Sequence, residues 1–167
     1  SLHRLGTDYI DLYQLHGGMI EDNIDETIEA FEQLKQEGVL REYGISSIRP
    51  NVIREYAERS SIVSVMNQYS IVDRRAEEEV LDLLQQKGIG VIARGPLASG
   101  ALASGREPQK AVLDYDVAAL KELREKLQSI SSDLTSLAIR YSLSHPAVAV
   151  AIPGARTIEQ LRQNIAA

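Results

Sequence analysis

Segments rich in β-forming residues alternate along this chain with segments of helical periodicity, and this alternation constrains the fold more than any other feature. The five predicted strands cover residues 9–16, 42–46, 62–69, 89–94 and 148–152. Strands that are joined by helices pair in parallel through right-handed crossovers. The sequence therefore predicts an α/β fold with about five parallel strands and alternating helices.

The helices are predicted from apolar residues at helical spacing and from the residues at their ends. Asn23 can cap the first helix, Pro50 suits the first turn of the second, and Gly88 ends a third over residues 76–87. Two more follow, one through residues 117–127 and one from about residue 132. The last opens at Thr157. A Gly- and Ser-rich segment over residues 95–113 breaks the pattern and is too long for a simple connection, which favours a functional loop.

Periodicity alone does not separate a closed barrel from an open, doubly wound sheet. No Gly-rich fingerprint follows the first strand, which disfavours the open dinucleotide-binding sheet. We therefore expect a single domain over residues 1–167 that is part of a TIM (β/α)₈ barrel. The chain opens in what reads as the tail of a helix and stops inside its last helix, so we expect about three further strands to precede Ser1.

Composition excludes several classes of function. A net charge of −6 without a basic block disfavours a nucleic-acid partner, and no apolar run approaches the roughly 20 residues that cross a bilayer. With no cysteine, disulfides and thiolate chemistry are excluded, which favours a cytoplasmic location. No histidine and carboxylate pair has metal-ligand spacing, and the run Glu77-Glu78-Glu79 is interpreted as a solvated helix start. We predict no metal site.

Five motifs follow one another at the ends of the predicted strands. They are Leu5-Gly6-Thr7-Asp8-Tyr9-Ile10-Asp11-Leu12-Tyr13-Gln14-Leu15-His16, Tyr43-Gly44-Ile45-Ser46-Ser47, Asn67-Gln68-Tyr69-Ser70, Arg94-Gly95-Pro96-Leu97-Ala98-Ser99-Gly100, and Ile152-Pro153-Gly154-Ala155-Arg156 continuing to Asn164. In this order they resemble the C-terminal part of the aldo-keto reductases, from the fourth barrel strand to the start of the last helix. The resemblance implies reduction of aldehyde or ketone carbonyls with NADPH.

The resemblance also implies a mechanism in which a Tyr, assisted by a Lys and an Asp, supplies a proton while a His orients the carbonyl. Preplaced donors are needed because negative charge develops on the carbonyl oxygen as the hydride adds. Of these four residues only the His has a counterpart here, His16, which strand parity places on one face with Leu12 and Gln14. The alternative is that His16 is an ordinary polar residue at a strand end.

The resemblance implies that Ser46 and Ser47 hold the nicotinamide carboxamide. A glutamine usually joins them in the family, but Met66 stands at the corresponding position here and is a poor hydrogen-bonding partner for an amide. The alternative for Met66 is a role in core packing. Arg94 stands where the family stacks an aromatic ring under the nicotinamide. A guanidinium there meets like charge in the oxidised cofactor, so we hypothesise a preference for NADPH over NADP⁺. Alternatively, Arg94 pairs with the pyrophosphate or with a carboxylate such as Asp73.

The remaining cofactor contacts are predicted in two segments. In the first, small residues and backbone N–H groups suit a pyrophosphate, and Arg106 or Lys110 can add charge; the predicted contacts are Gly95, Pro96, Leu97, Ala98 and Gly100. In the second, the resemblance implies that Arg156 binds the adenosine 2′-phosphate and therefore favours NADPH. The resemblance places Gly154, Gln160 and Asn164 in the same pocket. Gln163 stands where the family has an acidic residue that faces the adenine. A capping box of Thr157 with Gln160 is the alternative for Gln160.

Three interpretations of the whole chain remain open. In the first, it supplies His16 and most of the cofactor site of a reductase whose Asp, Tyr and Lys lie upstream, and it does not turn over alone. The second is a non-catalytic NADP(H)-binding or regulatory barrel module. The third is a segment with no independent role, whose exposed barrel edges favour pairing between chains. The sequence specifies neither the carbonyl substrate nor the oligomeric state.

Overall fold

A single parallel sheet organises the protein, which the computed structural model describes over all 167 residues. Its strands are β1 Ile10–His16, β2 Leu40–Ser46, β3 Ser64–Gln68, β4 Gly90–Arg94 and β5 Val148–Ile152. They lie side by side in chain order, and every neighbouring pair is parallel. The predicted α/β fold with five parallel strands is confirmed.

The helices alternate with these strands. They are α1 Leu2–Leu5, α2 Ile24–Gln36, α3 Pro50–Arg59, α4 Ala76–Lys87, α5 Val117–Gln128, α6 Leu134–Leu143 and α7 Ile158–Ala166. Side-chain caps open four of them, because Asn23, Asp116, Asp133 and Thr157 each accept a hydrogen bond from the backbone N–H three residues on. Helix α6 thus begins after Asp133, slightly later than predicted. No helix is both long enough and apolar enough to traverse a bilayer.

The main core lies on the outer face of the sheet, beneath the helices. Tyr43, Ile45, Val65, Val91 and Ala93 alternate along β2, β3 and β4 and are fully buried. Their alternation follows from the period of two along a strand. The same parity places the even-numbered residues in the carboxyl-terminal halves of β1 to β4 on the opposite, inner face, whereas Leu40 at the start of β2 still belongs to the core.

The inner face depends on one glycine, Gly44 in β2. The amide of Gln14 in β1 passes over it and donates to Ser64 Oγ in β3 at 2.7 Å. A Cβ at Gly44 would lie 2.4 Å from both the Ser64 carbonyl oxygen and Ser64 Oγ. Only a residue without a side chain therefore allows β1 and β3 to be linked across β2.

Parallel pairing in chain order brings the carboxyl ends of all five strands to one edge of the sheet, which we call the mouth. The last residues of β1 to β5 are His16, Ser46, Gln68, Arg94 and Ile152. Near the mouth, a second and smaller core lies beneath the segment 95–113, where Ala98, Ala101 and Leu102 pack against Leu120 of α5 and Ala138 of α6. The predicted functional loop is thus a packed element rather than a loose connection.

Candidate functional site

The inner side of the mouth carries a row of side chains that crosses neighbouring strands. His16 is paired in register with Ser46, and Ser46 with Met66. Adjacent strands lie about 4.8 Å apart, so these three residues are neighbours. His16 is exposed and Ser46 is half-buried. The structure therefore places the predicted orienting His and one predicted carboxamide contact next to each other, with the His side chain open to a ligand.

Gln68 is a candidate site residue that the sequence analysis missed. It ends β3, lies two residues closer to the mouth than Met66 and has the same strand parity, and its register partner on β4 is Arg94. Its side chain is half-buried. A glutamine amide offers both a donor and an acceptor, whereas the thioether of Met66 is a poor substitute. Parity counted back from the strand end would have selected Gln68. Met66 belongs to neither core cluster, so the packing role given as its alternative stays a prediction.

Arg94 is exposed at the end of β4 and forms no ion pair within the protein. The suggested pairing with Asp73 is wrong. Both oxygens of the buried Asp73 carboxylate accept hydrogen bonds from Arg75, at 2.9 Å from Nε and 2.8 Å from a terminal nitrogen. The guanidinium of Arg94 is therefore not occupied by this carboxylate.

Ser47 does not reach the inner face of the sheet. It is 5% exposed, its hydroxyl accepts a hydrogen bond from the backbone N–H of Arg49 at 3.2 Å, and its carbonyl accepts one from the Asn67 amide at 2.9 Å. These contacts hold the turn that follows β2. The placement does not support the predicted contact between Ser47 and a cofactor, because the side chain has turned into the protein. Ser46 alone keeps a hydroxyl at the mouth.

A cleft of about 1090 Å³ opens beside the end of β4, between the segment that follows this strand and the loop and helix that follow β5. It contains nine of the predicted cofactor contacts: Gly95, Pro96, Leu97, Gly100, Gly154, Arg156, Gln160, Gln163 and Asn164. Arg106 and Lys110 also line it, so that three cations face one space with Glu159 as the only carboxylate. Such a cleft attracts anions.

The loop over residues 95–100, which lines this cleft, leaves only part of its backbone N–H groups without a backbone partner. Ala98 donates to the Gly95 carbonyl at 2.9 Å and Gly100 to the Leu97 carbonyl at 2.8 Å, whereas Gly95, Leu97 and Ser99 have no backbone partner for their N–H groups. Ala98 is 5% exposed and belongs to the smaller core. The prediction that Ala98 contacts a cofactor is therefore not supported by its placement, since Ala98 holds the loop from behind.

On the other side of the cleft, side chains order the start of α7. The Thr157 hydroxyl accepts from the Gln160 N–H at 3.2 Å, and the Gln160 side-chain oxygen accepts from the Arg156 N–H at 2.8 Å. The structural role suggested for Gln160 is thus present, in a variant that reaches Arg156 rather than the cap itself. Asn164 donates to the carbonyls of Pro153 and Gly154 at 3.5 and 3.4 Å. The Arg156 side chain remains exposed.

Behind the mouth, a partly buried polar cluster joins the residue that follows β3 to α4 and α6. Glu77 accepts hydrogen bonds from the hydroxyls of Tyr69 and Tyr141, at 2.8 and 2.7 Å, and two from Arg74 at 2.9 and 2.6 Å. Arg74 and then the two tyrosines lower the pKa of Glu77 to about 2, although partial burial opposes the shift. Burial raises the pKa of Tyr69. Glu78 and Glu79 are exposed at the helix start as predicted, whereas Glu77 is half-buried and has protein partners.

Fold and site together define a parallel β/α protein of the barrel type, with polar residues at the carboxyl ends of its strands and an anion-attracting cleft beside them, where barrel enzymes keep their chemistry. A sequence model of the Aldo/keto reductase family matches residues 1–167. The chain belongs to the aldo/keto reductase family. The family resemblance inferred from the strand-end motifs is thereby confirmed.

Individual relatives agree. The chain is 57% identical to the uncharacterised oxidoreductase YqkF of Bacillus subtilis, covering 100% of this chain and 57% of that protein. It is 30% identical to the NADH-specific methylglyoxal reductase of Escherichia coli, covering 100% and 56%. The holo form of aldo-keto reductase AKR11C1 from Bacillus halodurans superposes with a TM-score of 0.94 at 56% identity, over 99% of this chain and 55% of that one. The chain thus spans somewhat more than half the length of these relatives.

Proposed function

We propose that this chain provides the carbonyl-orienting histidine and most of the cofactor site of an NADPH-dependent oxidoreductase that reduces small aldehydes or ketones to alcohols. The observation that carries the proposal is the convergence of His16, Ser46, Gln68 and Arg94 at one mouth, with the cationic cleft opening directly from the end of β4. A cytoplasmic location belongs to the same proposal, because a chain without cysteine forms no disulfide and suits a reducing compartment.

The residues of the cleft fit a phosphorylated dinucleotide. Small residues and the unpaired N–H groups of Gly95, Leu97 and Ser99 allow a pyrophosphate to approach the backbone, with Arg106 and Lys110 supplying charge. On the opposite side, the exposed Arg156 suits a 2′-phosphate through charge-assisted hydrogen bonds. NADPH carries this phosphate and NADH does not, so Arg156 makes NADPH the proposed cofactor.

At the mouth, each side chain has a separate task in the proposed reaction. Bound NADPH would supply the hydride. Ser46 and the amide of Gln68 would hold the nicotinamide carboxamide, and Arg94 would lie against the ring, where its charge disfavours the oxidised form. His16 would donate a hydrogen bond to the substrate carbonyl, which orients it and stabilises the negative charge that develops on its oxygen.

Fluorescence titration with NADPH tests the cofactor assignment, and the chain contains no tryptophan to interfere. Losing a charge-assisted hydrogen bond costs about 1.5–3 kcal/mol, so Arg156→Ala should weaken NADPH binding roughly 10- to 100-fold. Binding of NADH should be unchanged. Arg162→Ala is the matched control, because Arg162 lies on the same helix but outside the cleft. The assignment would be contradicted if Arg156→Ala weakened the binding of NADPH and NADH equally, or if Arg156→Ala and Arg162→Ala weakened NADPH binding equally.

The orienting role is tested by His16→Gln in the full-length protein, because this chain contains a counterpart of only one of the family's four catalytic residues. The variant should keep the wild-type dissociation constant for NADPH, while kcat falls about 100- to 1000-fold. His3→Gln, on the exposed α1, is the control and should change neither quantity. A full-length protein that binds NADPH but reduces no carbonyl would instead favour the non-catalytic NADP(H)-binding module.

A further inference from the structure

Arg124 of α5 is a buried cation that lies outside the proposed catalytic residues. Its side chain is 4% exposed, and one terminal nitrogen donates to the carbonyls of Ala101 and Ala103 at 2.6 and 3.0 Å. The nearest carboxylate, Glu107, is 4.0 Å away and largely exposed. A buried charge is unfavourable unless its hydrogen bonds are satisfied. The main partners of Arg124 are therefore two backbone carbonyls of the segment that follows β4.

The backbone just before these carbonyls is strained. Ala98, Ser99 and Gly100 have φ values of 48°, 58° and 90°, so three successive residues occupy the left-handed region, and only one is a glycine. Conformations of this kind persist only where the surroundings hold them in place. Arg124 supplies such a constraint one residue after Gly100, because it binds the carbonyl of Ala101.

Further contacts hold the same segment on the side away from the cleft. The Ser104 N–H donates to the Thr135 hydroxyl at 2.8 Å, and the Ser104 hydroxyl donates to the Asp133 carboxylate at 2.8 Å. The opposite side faces the cleft, where Arg106 packs over Gly100; a Cβ at Gly100 would lie 3.0 Å from a guanidinium nitrogen of Arg106. The backbone between Gly100 and Arg106 is thus fixed from behind, by Arg124 at Ala101 and Ala103 and by Thr135 and Asp133 at Ser104.

We propose that Arg124 is a positioning residue that holds the segment 101–106 in the conformation in which the cleft receives the phosphates of a dinucleotide. The inference rests on the proposed function for the identity of the ligand and on the contacts above for the positioning itself. Arg124 touches no ligand. It keeps the binding conformation populated, and the apparent dissociation constant rises in proportion as that population falls.

The test compares Arg124→Met, which keeps the length of the side chain and removes its charge and donors, with Arg124→Lys, which keeps the charge and a single donor group. If the anchored conformation falls to about a tenth of the population, the NADPH dissociation constant rises about tenfold in Arg124→Met, with a smaller rise in Arg124→Lys. Adenosine 2′-monophosphate, which needs only the Arg156 side of the cleft, should bind both variants within about twofold of wild type. Lys121→Met, on the exposed side of α5, is the control.

Amide hydrogen exchange provides a readout that requires no ligand. The N–H groups of Leu102, Ala103 and Ser104 are hydrogen-bonded and should exchange about tenfold faster in Arg124→Met and by a smaller factor in Arg124→Lys, while those of β2 and β3 keep wild-type rates. Unchanged exchange in this segment would overturn the inference, as would an equal loss of affinity for NADPH and adenosine 2′-monophosphate. If the wild-type protein binds no NADPH, the proposed function fails, whereas the exchange rates still decide the role of Arg124.

Discussion

Replacing Gly44 with alanine tests the packing of the inner face that positions the mouth. The added Cβ would lie 2.4 Å from the Ser64 carbonyl oxygen and from Ser64 Oγ, and 3.1 Å from the Gln14 amide nitrogen, whereas ordinary contacts begin at 3.4 Å. The overlap is thus about 1 Å. The Oγ and the amide can rotate away, but the carbonyl belongs to the backbone of β3, so β2 and β3 must separate.

The expected cost follows from two effects. Overpacking a well-packed site costs about 1–3 kcal/mol, and losing the hydrogen bond between Gln14 and Ser64 adds about 1 kcal/mol. We therefore expect Gly44→Ala to lower the free energy of unfolding by about 2–4 kcal/mol. For a domain of this size each kcal/mol lowers Tm by about 2–4 °C, so Tm should fall by roughly 4–16 °C.

Urea and thermal unfolding, followed by circular dichroism, measure the effect. Gly90→Ala is the matched control, because Gly90 lies on the same face in β4 and its added Cβ would meet Ala149 at an ordinary 3.4 Å. It should change stability by less than about 0.5 kcal/mol. Adding Ser64→Ala to Gly44→Ala should recover only part of the loss, because the carbonyl remains. Equal stability of Gly44→Ala and wild type would refute the register described for the inner face.

Three further outcomes are expected. Glu77 has a pKa of about 2 in the folded protein against an ordinary 4.5, so its ionised form stabilises the fold above pH 4.5, and this stabilisation is lost as the pH falls toward 2. The Glu77→Gln variant should therefore show a weaker dependence of the free energy of unfolding on pH between 4.5 and 2. An unchanged dependence would exclude the Glu77 cluster as its cause. Arg94→Tyr should change the ratio of the NADP⁺ and NADPH dissociation constants by roughly 2- to 30-fold, measured by titration with each form, and an unchanged ratio would remove the stacking role. Thr157→Ala should lower the local stability of α7 by about 1 kcal/mol in amide hydrogen exchange, whereas protection equal to wild type would mean that the cap is not needed.

Local sequence signals predicted the elements well because most of their ends carry a residue with a specific backbone role. Helix α4 has the predicted bounds, with Gly88 in the left-handed conformation after it, and β5 also matches. Strand β3 is shorter than the predicted 62–69, and this difference matters for the site. Met66 and Gln68 share a face, and the end of the strand decides which residue of that face reaches the mouth. Uncertainty in one strand end thus hid Gln68.

Two predicted cofactor contacts lack support from the structure, because tertiary contacts act on the loop residues concerned. Ser47 and Ala98 stand in motifs of the right composition, but the first turns inward onto Arg49 and Asn67, and the second packs against the smaller core. Neither orientation follows from local sequence, since each depends on partners from another element. The role of Arg124 was not predicted for the same reason, because its acceptors lie more than 20 residues earlier in the chain.

The common parity of the strand ends bears on how such a sequence can change over evolution. Inserting or deleting one residue within a strand would turn its last side chain from the mouth into the layer of helices, since neighbouring residues point to opposite faces. The segment 95–113 is not bound by this rule, because residues in it are held by individual contacts rather than by a repeating ladder. Length variation among homologous chains should therefore concentrate in that segment, while the spacing between Gln14 and His16, or between Met66 and Gln68, stays constant.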